Sequence, residues 1–229
     1  MTAEAKAISV PHAETPSSLR MIATLSIVSM ISGFLIVSSY LLTKDRIAAN
    51  ERQALEKAVY DVLPGAVTRA TFAVEQNGFR RLEADEPGAE KVYAGYDDSG
   101  RLVGVAIETR GPGYQDIIRV IYGYSPEKEA LVGMKVLYCV DTPGLGDRIR
   151  EDTFRSNFNG MDVTLKDDKS GLLHAIETVK GGLKTQKWQV DGVSGATISS
   201  RAVGNMVNAS GEKMLPFIVA HIDDLKAKQ

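Results

Sequence analysis

Cysteine is almost absent from this chain of 229 residues, which has one thiol, Cys139. A single cysteine excludes an internal disulfide and an iron–sulfur cluster held by cysteines of this chain alone. Cys139 lies in the apolar run 136–140, where we expect a buried structural thiol. Positive charge is not in excess either, since 27 lysines and arginines stand against 29 aspartates and glutamates, a net charge of −2. Without a basic stripe, nucleic acid is not an expected partner.

Several catalytic signatures are missing as well. The three histidines share no ligand spacing, so no metal site is predicted. Residues 141–144 match the Asp-x-x-Gly segment of GTPases, but no Gly-x-x-x-x-Gly-Lys-Ser/Thr loop is present to hold the phosphates, which excludes that class. A nicotinamide-binding fingerprint is also lacking, so the chain is not a complete nicotinamide-dependent oxidoreductase.

One long hydrophobic run is present near the N-terminus. Residues 21–43 carry no charge and are bounded by Arg20 and by the charged segment 44–46. At 1.5 Å per residue this helix would reach roughly 34 Å, enough to cross a hydrocarbon core of about 30 Å. A cleaved signal peptide is the alternative, but its apolar core would be shorter and would end in a small-x-small cleavage site. We therefore predict a single-pass transmembrane anchor.

The flanks of this anchor give no support for export of the domain. Two basic residues precede it and four follow within residues 44–57, which by the positive-inside rule would keep the large domain in the cytoplasm. The anchor is rich in serine, and the spacing Ser29-x-x-x-Gly33 would let a partner helix approach closely. A lone anchor that tolerates serine remains the alternative.

The rest of the chain divides into recognisable segments. We expect an α+β fold, in which a single N-terminal transmembrane helix is followed by one domain of antiparallel hairpins with flanking helices. The predicted segments are a disordered leader (1–18), a transmembrane helix (19–43), a connecting helix that Pro64-Gly65 ends (44–65), and the domain (66–229).

Two predicted hairpins resemble each other. Residues 93–96 turn at 97–100 into 102–107, and residues 122–124 turn at 125–128 into 131–136. Each begins with a Tyr-Gly-Tyr-like segment, continues into Leu-Val-Gly, and is followed by a Pro/Gly loop. The pattern fits an internal duplication or two ordinary hairpins. A duplication would place both Pro/Gly loops at the same edge of the sheet.

A hydroxyl-bearing turn precedes the last helical pattern. Residues 191–197 read Asp-Gly-Val-Ser-Gly-Ala-Thr, and Ile198, Ala202, Val203, Met206 and Val207 then follow at helical spacing. Ser194 and Thr197 are therefore expected at a helix N-terminus, where free backbone N–H groups and the dipole favour a phosphate. The ordinary alternative is that they cap the helix.

Two segments carry a resemblance to a known family. Asp-x-x-Ser-Gly-Ala-Thr at 191–197 resembles the flavinylation motif of the FMN-binding domain in the G subunit of the Rnf electron-transport complex, a domain shared with the C subunit of the sodium-pumping NADH:quinone reductase. Residues 141–147, Asp-Thr-Pro-Gly-Leu-Gly-Asp, resemble the segment that these families place beside the flavin, although the family usually has glutamate at the position of Asp141. The Gly-Pro-Gly-Tyr turn at 111–114 is a less specific match.

The resemblance implies a cofactor and its site. In the family the last threonine of the motif carries FMN through a phosphoester, and this position is Thr197. The residues implied to surround the cofactor are Ser194, Gly195, Ala196, Thr142, Gly144, Leu145 and Gly146. Trp188 could stack on the flavin or pack in the core, and Lys184 and Lys187 could pair with the phosphate or be solvated.

The resemblance also implies a biological setting. The chain would be a subunit of the cell (inner) membrane with a cytoplasmic leader and an extracytoplasmic, periplasmic domain, matured by a flavin transferase. Its partners would be the other membrane subunits of a Rnf-type ion-translocating ferredoxin:NAD oxidoreductase, in which it relays electrons and is not a complete enzyme alone. The alternatives are the C subunit of a sodium-translocating NADH:quinone reductase and a cofactor-free membrane-anchored scaffold.

Overall fold

The computed structural model describes residues 17–84, 86 and 88–226. Residues 1–16, most of the predicted leader, lie outside the described residues. The chain divides into two compact units, one ending at Glu51 and the other beginning at Arg52. The predicted transmembrane and connecting segments form one continuous helix, α1, over Ser18–Val62.

Among the described residues, the N-terminal unit contains the part of α1 that ends at Glu51. Its most hydrophobic 18-residue window has a mean hydropathy of 2.1, and none of that window is buried. Within the described residues α1 is the one helix that is long and apolar enough to cross a membrane. Large apolar side chains stand exposed along it, with Phe34 at 69% and Leu42 at 79%. Such a surface is suited to lipid and not to water.

The second unit is built on a seven-stranded antiparallel sheet in the order β2-β1-β3-β4-β5-β6-β7. The predicted hairpins are confirmed as β3–β4 and β5–β6, whereas β1 and β2 were not predicted. A separate parallel pair joins β8 and β9. The strands are β1 Thr68–Glu75, β2 Gly78–Leu82, β3 Lys91–Tyr96, β4 Leu102–Pro112, β5 Ile117–Ser125, β6 Ala130–Tyr138, β7 Met161–Asp162, β8 Glu177–Val179 and β9 Gln189–Asp191.

The two similar hairpins share one register. Gly95 pairs with Gly104 in the first and Gly123 with Gly133 in the second, and in both the register shifts immediately after the β3 or β5 glycine. The next pair in each hairpin is a tyrosine opposite a leucine. A duplication predicts such a shared irregularity, because a bulge depends on local sequence and is kept with it.

The C-terminal end of α1 packs against these paired glycines on one face of the sheet. A Cβ at Gly95 or Gly104 would come within 2.9 Å of the Leu63 side chain, and a Cβ at Gly133 would lie 3.0 Å from Val62 Cα. Ala58, Val59 and Val62 complete this buried cluster together with apolar side chains of β3, β4 and β5. The glycines therefore allow the backbone of the helix end to approach the sheet closely.

The opposite face of the sheet carries the larger core and helix α3 (Thr197–Ala220). Val203 and Val207 are fully buried there, and Tyr122 of β5 shares a 2.7 Å hydrogen bond with Ser210 of α3. Two short helices, α2 (Asp152–Arg155) and α4 (Ile222–Leu225), and 3-10 turns at Gly146–Arg150 and Ser156–Phe158 close the edges of the core. The fold is thus α+β, as predicted.

Candidate functional site

The motif turn leads directly into α3. The Ala196 N–H donates to the Val193 carbonyl at 3.0 Å, and Gly195 has a φ of +87°, which makes 193–196 a turn with glycine where a left-handed conformation is needed. Thr197 is the first residue of the helix, and Ala196 occupies the N-cap position without a side-chain cap. The alternative in which Thr197 caps the helix is therefore wrong. Its side chain is left exposed at the helix N-terminus.

The loop after β6 has the same design. The Leu145 N–H donates to the Thr142 carbonyl at 3.1 Å, with Pro143 second in the turn and Gly144, at φ +76°, third. Proline and then glycine at these positions are typical of a type II turn. The Asp147 carboxylate accepts a 2.7 Å hydrogen bond from the Gly144 N–H and so stabilises the turn.

The two turns lie against each other. A Cβ at Gly195 would be 3.5 Å from Leu145 Cδ2, so the leucine side chain lies over the motif turn. Arg148, from the 3-10 turn after the loop, donates a 2.9 Å hydrogen bond to the Ser194 carbonyl. Its guanidinium also pairs with Glu151 at 3.1 Å and holds the pKa of that carboxyl below its ordinary value by hydrogen bonding.

A third segment joins them from the β4–β5 turn. The backbone N–H of Gln115 donates to Asp141 Oδ1 at 3.1 Å, which places the Gly-Pro-Gly-Tyr loop beside the Thr-Pro-Gly-Leu loop. Strands β4 and β6 run in the same direction because β5 lies antiparallel between them, so the loops after both emerge at one end of the sheet. The predicted meeting of the two Pro/Gly loops is confirmed.

These three segments enclose a cleft with a volume of about 320 Å³. That volume falls at the lower end of the range for small-molecule sites. Its apolar wall is unusual for a surface, since Tyr114 is 65%, Leu145 52% and Ile198 55% exposed. The complete lining is Tyr114, Thr142, Leu145, Gly146, Gly195, Ala196, Thr197, Ile198 and Ser199.

The structure shows which of the residues predicted from the sequence line the cleft. The cleft brings together Thr197, Gly195 and Ala196 of the motif with Thr142, Leu145 and Gly146 of the loop, whereas Ser194 and Gly144 flank it. Ile198 was expected on the buried helix face and is instead on the cleft, because the first turn of α3 buries Ser199 and Ser200 in its place. Tyr114 stood in the quoted turn without an assigned role. Nothing in the sequence pointed to Arg148.

Other residues considered from the sequence lie away from the cleft. Trp188 stacks on His174 with ring centroids 3.9 Å apart. The Lys184 ammonium donates to the backbone carbonyl of Asn157 at 3.2 Å, and burial lowers its pKa. Cys139 is only partly buried, and burial raises the pKa of its thiol. Over the described ranges no cluster of histidine, cysteine, aspartate and glutamate could hold a metal ion.

The cleft has the chemistry that a flavin phosphate needs. The Thr197 hydroxyl is exposed and has no hydrogen-bond partner within the described part of the chain. The first N–H groups of α3 have no helical carbonyl to bond and carry the positive end of the dipole, which suits a phosphate. Tyr114, Leu145 and Ile198 offer apolar surface to a flat ring. The residues present therefore fit FMN.

Comparison with known proteins supports this picture. Residues 113–211 match the family model of the FMN-binding domain, which spans all three cleft segments. The chain resembles the G subunit of the ion-translocating oxidoreductase complex of Aliivibrio fischeri, with 32% identity over 190 residues that cover 78% of this chain and 81% of that protein. The G subunit of the same complex from Methanosarcina acetivorans is 29% identical over 193 residues, 83% of this chain and 91% of that protein.

Solved structures show the same fold at lower identity. The crystal structure of NqrC from Shewanella oneidensis matches with a TM-score of 0.57 at 20% identity, over 79% of this chain and all of that one. The C subunit of the Na⁺-translocating NADH-quinone reductase of Parabacteroides distasonis matches with a TM-score of 0.55 at 20% identity, over 80% of this chain and 98% of that one. At this identity the likeness concerns the fold alone. By its sequence relatives, the chain belongs to the family of the G subunit of the ion-translocating oxidoreductase complex.

Proposed function

We propose that Thr197 carries FMN through a phosphoester and that the chain relays electrons as a membrane-anchored subunit of a Rnf-type ion-translocating oxidoreductase. The observation that carries the proposal is the free, exposed Thr197 hydroxyl at an uncapped helix N-terminus, inside an apolar cleft. Bound FMN supplies the redox chemistry, since flavins exchange one or two electrons.

The attachment would form a bond between Thr197 Oγ and the flavin phosphorus as the pyrophosphate bond of a flavin dinucleotide donor breaks. The second mononucleotide of the donor would leave, and a base would take the hydroxyl proton. A hydroxyl is a weak nucleophile and needs an adjacent base. Within the described residues no histidine or carboxylate bonds the Thr197 hydroxyl, and the buried carboxylate nearby, Asp141, is already bonded to Ser199 and to the Gln115 backbone. This arrangement supports catalysis by a separate flavin transferase.

Different residues at the cleft would bind different parts of the cofactor. The first N–H groups of α3 would bind the phosphate oxygens, and the Arg148 guanidinium would stabilise the turn that precedes them through the Ser194 carbonyl. Leu145, Ile198 and Tyr114 would cover the ring and exclude water from it. A covalent link would keep the cofactor from being lost outside the cytoplasm.

The membrane setting is part of the proposal. The apolar helix would anchor the chain in the cell membrane, with residues 19–43 in the bilayer, 44–65 connecting and 66–229 forming an extracytoplasmic domain. The family relationship supports that side, although the basic residues between positions 44 and 57 would by themselves favour the cytoplasm. The other membrane subunits of the complex would be the redox partners.

The decisive test is mass spectrometry of the full chain made in a host that exports it and supplies a flavin transferase. The peptide containing Thr197 should gain the mass of FMN minus water, and the protein should give a flavin-fluorescent band on a denaturing gel. Thr197→Val, which removes the hydroxyl and keeps the shape, should abolish both signals. The matched variant Ser194→Ala, which removes the neighbouring exposed hydroxyl, should keep the adduct on Thr197.

Two outcomes would reject the proposal. An adduct that persists in Thr197→Val and disappears in Ser194→Ala would move the attachment to Ser194. No adduct on the wild-type chain in the competent host would favour a cofactor-free scaffold.

A further inference from the structure

Asp141 is the one aspartate, glutamate, lysine, arginine or histidine whose side chain is buried in the described part of the chain, with 4% exposed. Burial of a carboxylate is costly unless hydrogen bonds compensate it. No cation forms an ion pair with Asp141 among the described residues. Its position must therefore be secured by hydrogen bonds and by the helix end beside it.

Those hydrogen bonds come from two of the three segments that form the cleft. Oδ2 of Asp141 accepts a 2.5 Å hydrogen bond from the hydroxyl of Ser199, which is 1% exposed and lies two residues after Thr197 in the first turn of α3. Oδ1 accepts the 3.1 Å bond from the Gln115 N–H in the β4–β5 turn.

The third segment closes over the same carboxylate. A Cβ at Gly146 would lie 2.5 Å from Asp141 Cβ and 2.7 Å from Oδ2, so the loop that carries Leu145 passes directly over the side chain. The Ser199 bond also places the carboxylate at the first turn of α3, near the positive end of the helix dipole. One buried group thus touches every wall of the cleft without lining the cleft itself.

We propose that Asp141 is a positioning residue for the Thr197 site, which fixes the first turn of α3 relative to the Leu145 and Tyr114 walls through Ser199 and the Gln115 backbone. The inference rests on the proposed function and deepens it. Loss of the carboxylate would leave Thr197 and the phosphate-binding N–H groups in place but would loosen the walls relative to them. A transferase that must fit a flavin against these walls would then attach it more slowly.

The test uses full-length chain in the exporting host, with the fraction of Thr197 modified followed over time after induction of the transferase. We expect Asp141→Asn and Ser199→Ala each to slow attachment at least fivefold. The double variant should be no slower than Asp141→Asn alone, because each substitution removes the hydrogen bond that the Ser199 hydroxyl donates to a carboxylate oxygen of Asp141. Asp168→Asn is the matched control and should attach at the wild-type rate, since this exposed carboxylate accepts a 3.0 Å hydrogen bond from the Ser170 N–H and does not line the cleft.

A spectroscopic readout separates positioning from general damage to the fold. The visible circular dichroism of the attached flavin, normalised to the amount attached, reports how rigidly the walls hold the ring. It should weaken in Asp141→Asn and Ser199→Ala and stay unchanged in Asp168→Asn. If Asp141→Asn does not fold, the result for Ser199→Ala alone tests the positioning role. That variant removes a single hydroxyl and is therefore expected to fold.

The outcomes distinguish this inference from the proposed function. Wild-type attachment with unchanged rate and unchanged flavin dichroism in Ser199→Ala and in any folded Asp141→Asn protein would overturn the positioning role and leave the carrier role intact. Absence of an adduct on wild-type Thr197 would reject the carrier role, and this inference with it.

Discussion

The close approach of α1 to the sheet makes Gly123→Ala a sensitive test of the fold. A Cβ at this position would overlap the carbonyl oxygen of Val62, and it would lie 2.9 Å from the Val62 carbonyl carbon and from Leu63 Cδ2. A backbone carbonyl cannot move aside by a change of rotamer, so the end of α1 must shift. Overpacking of this kind costs about 1–3 kcal/mol, and the loss of glycine flexibility on mutation offsets roughly 0.5–1 kcal/mol of that.

Because the overlap is with backbone atoms, the cost lies at the upper end of that range, about 3 kcal/mol, and the net loss in the free energy of unfolding should be about 2 kcal/mol. For a chain of this size each kcal/mol corresponds to roughly 2–4 °C, so the melting temperature should fall by about 4–8 °C. The assay is near-ultraviolet circular dichroism of the full chain in detergent during heating. Gly133→Ala should have a smaller effect, because its Cβ would lie 3.0 Å from Val62 Cα and a slight shift would relieve the contact.

Gly111→Ala provides the matched control in the same sheet. Its nearest neighbour would be the flexible end of Met206 at 3.3 Å, so stability should change by less than about 0.5 kcal/mol. Wild-type melting temperatures for both Gly123→Ala and Gly133→Ala would refute the argument that the paired glycines exist to admit the helix end.

Three further predictions concern α3, the sheet edge and the cleft. Gly204→Ala should destabilise the protein by about 1–3 kcal/mol, because its Cβ would overlap the hydroxyl of a threonine in β8. Gly211→Ala should stabilise the protein by up to about 1 kcal/mol through helix propensity, because the nearest neighbour of its Cβ is 3.5 Å away. Chemical denaturation measures both changes. The Thr164 hydroxyl donates a 2.7 Å hydrogen bond to Asp162 and holds the pKa of that carboxyl below its ordinary value. The resulting stabilisation is complete above the unfolded pKa near 3.9 and is lost as the pH falls through the folded pKa. Thr164→Val should therefore cost about 1 kcal/mol at neutral pH and nothing once Asp162 is protonated, as an acid-unfolding series would show. Leu145→Ala removes a half-exposed side chain and should alter stability by less than about 0.5 kcal/mol. By admitting water it should also shift the emission of attached flavin to longer wavelength, and an unchanged emission maximum would contradict a contact between Leu145 and the ring.

The hairpins show which strand pairings can be predicted from the local sequence. Polar turn residues between apolar runs predicted β3–β4 and β5–β6, because hairpin pairing is decided by neighbours in the chain. The β1–β2 hairpin was not predicted, although Asn77-Gly78 is a strong hairpin signal and Glu75 pairs with Gly78 across the turn. Its pairing with β3 at the edge of the sheet depends on the tertiary structure.

The candidate site shows the same division. Gly144 and Gly195 were predicted as site residues through the family resemblance, which rests on short local motifs, and the structure shows each with a positive φ in its turn. Arg148 could not be found this way, because its bond to the Ser194 carbonyl joins residues 46 positions apart. The same holds for Ser199 and Asp141, which are 58 positions apart and meet only when β6 and α3 are packed.

The sequence by itself determined the apolar helix, the two central hairpins, the turn before α3 and the family resemblance, since all of these depend on residues close together in the chain. The tertiary structure alone decided that Thr197 is free and does not cap its helix, that three distant loops form one cleft, and that Asp141 is buried between them. These features depend on which hydrogen-bond donors and apolar surfaces the packed sheet and helix bring within reach, and residue spacing along the chain carries no information on such distances.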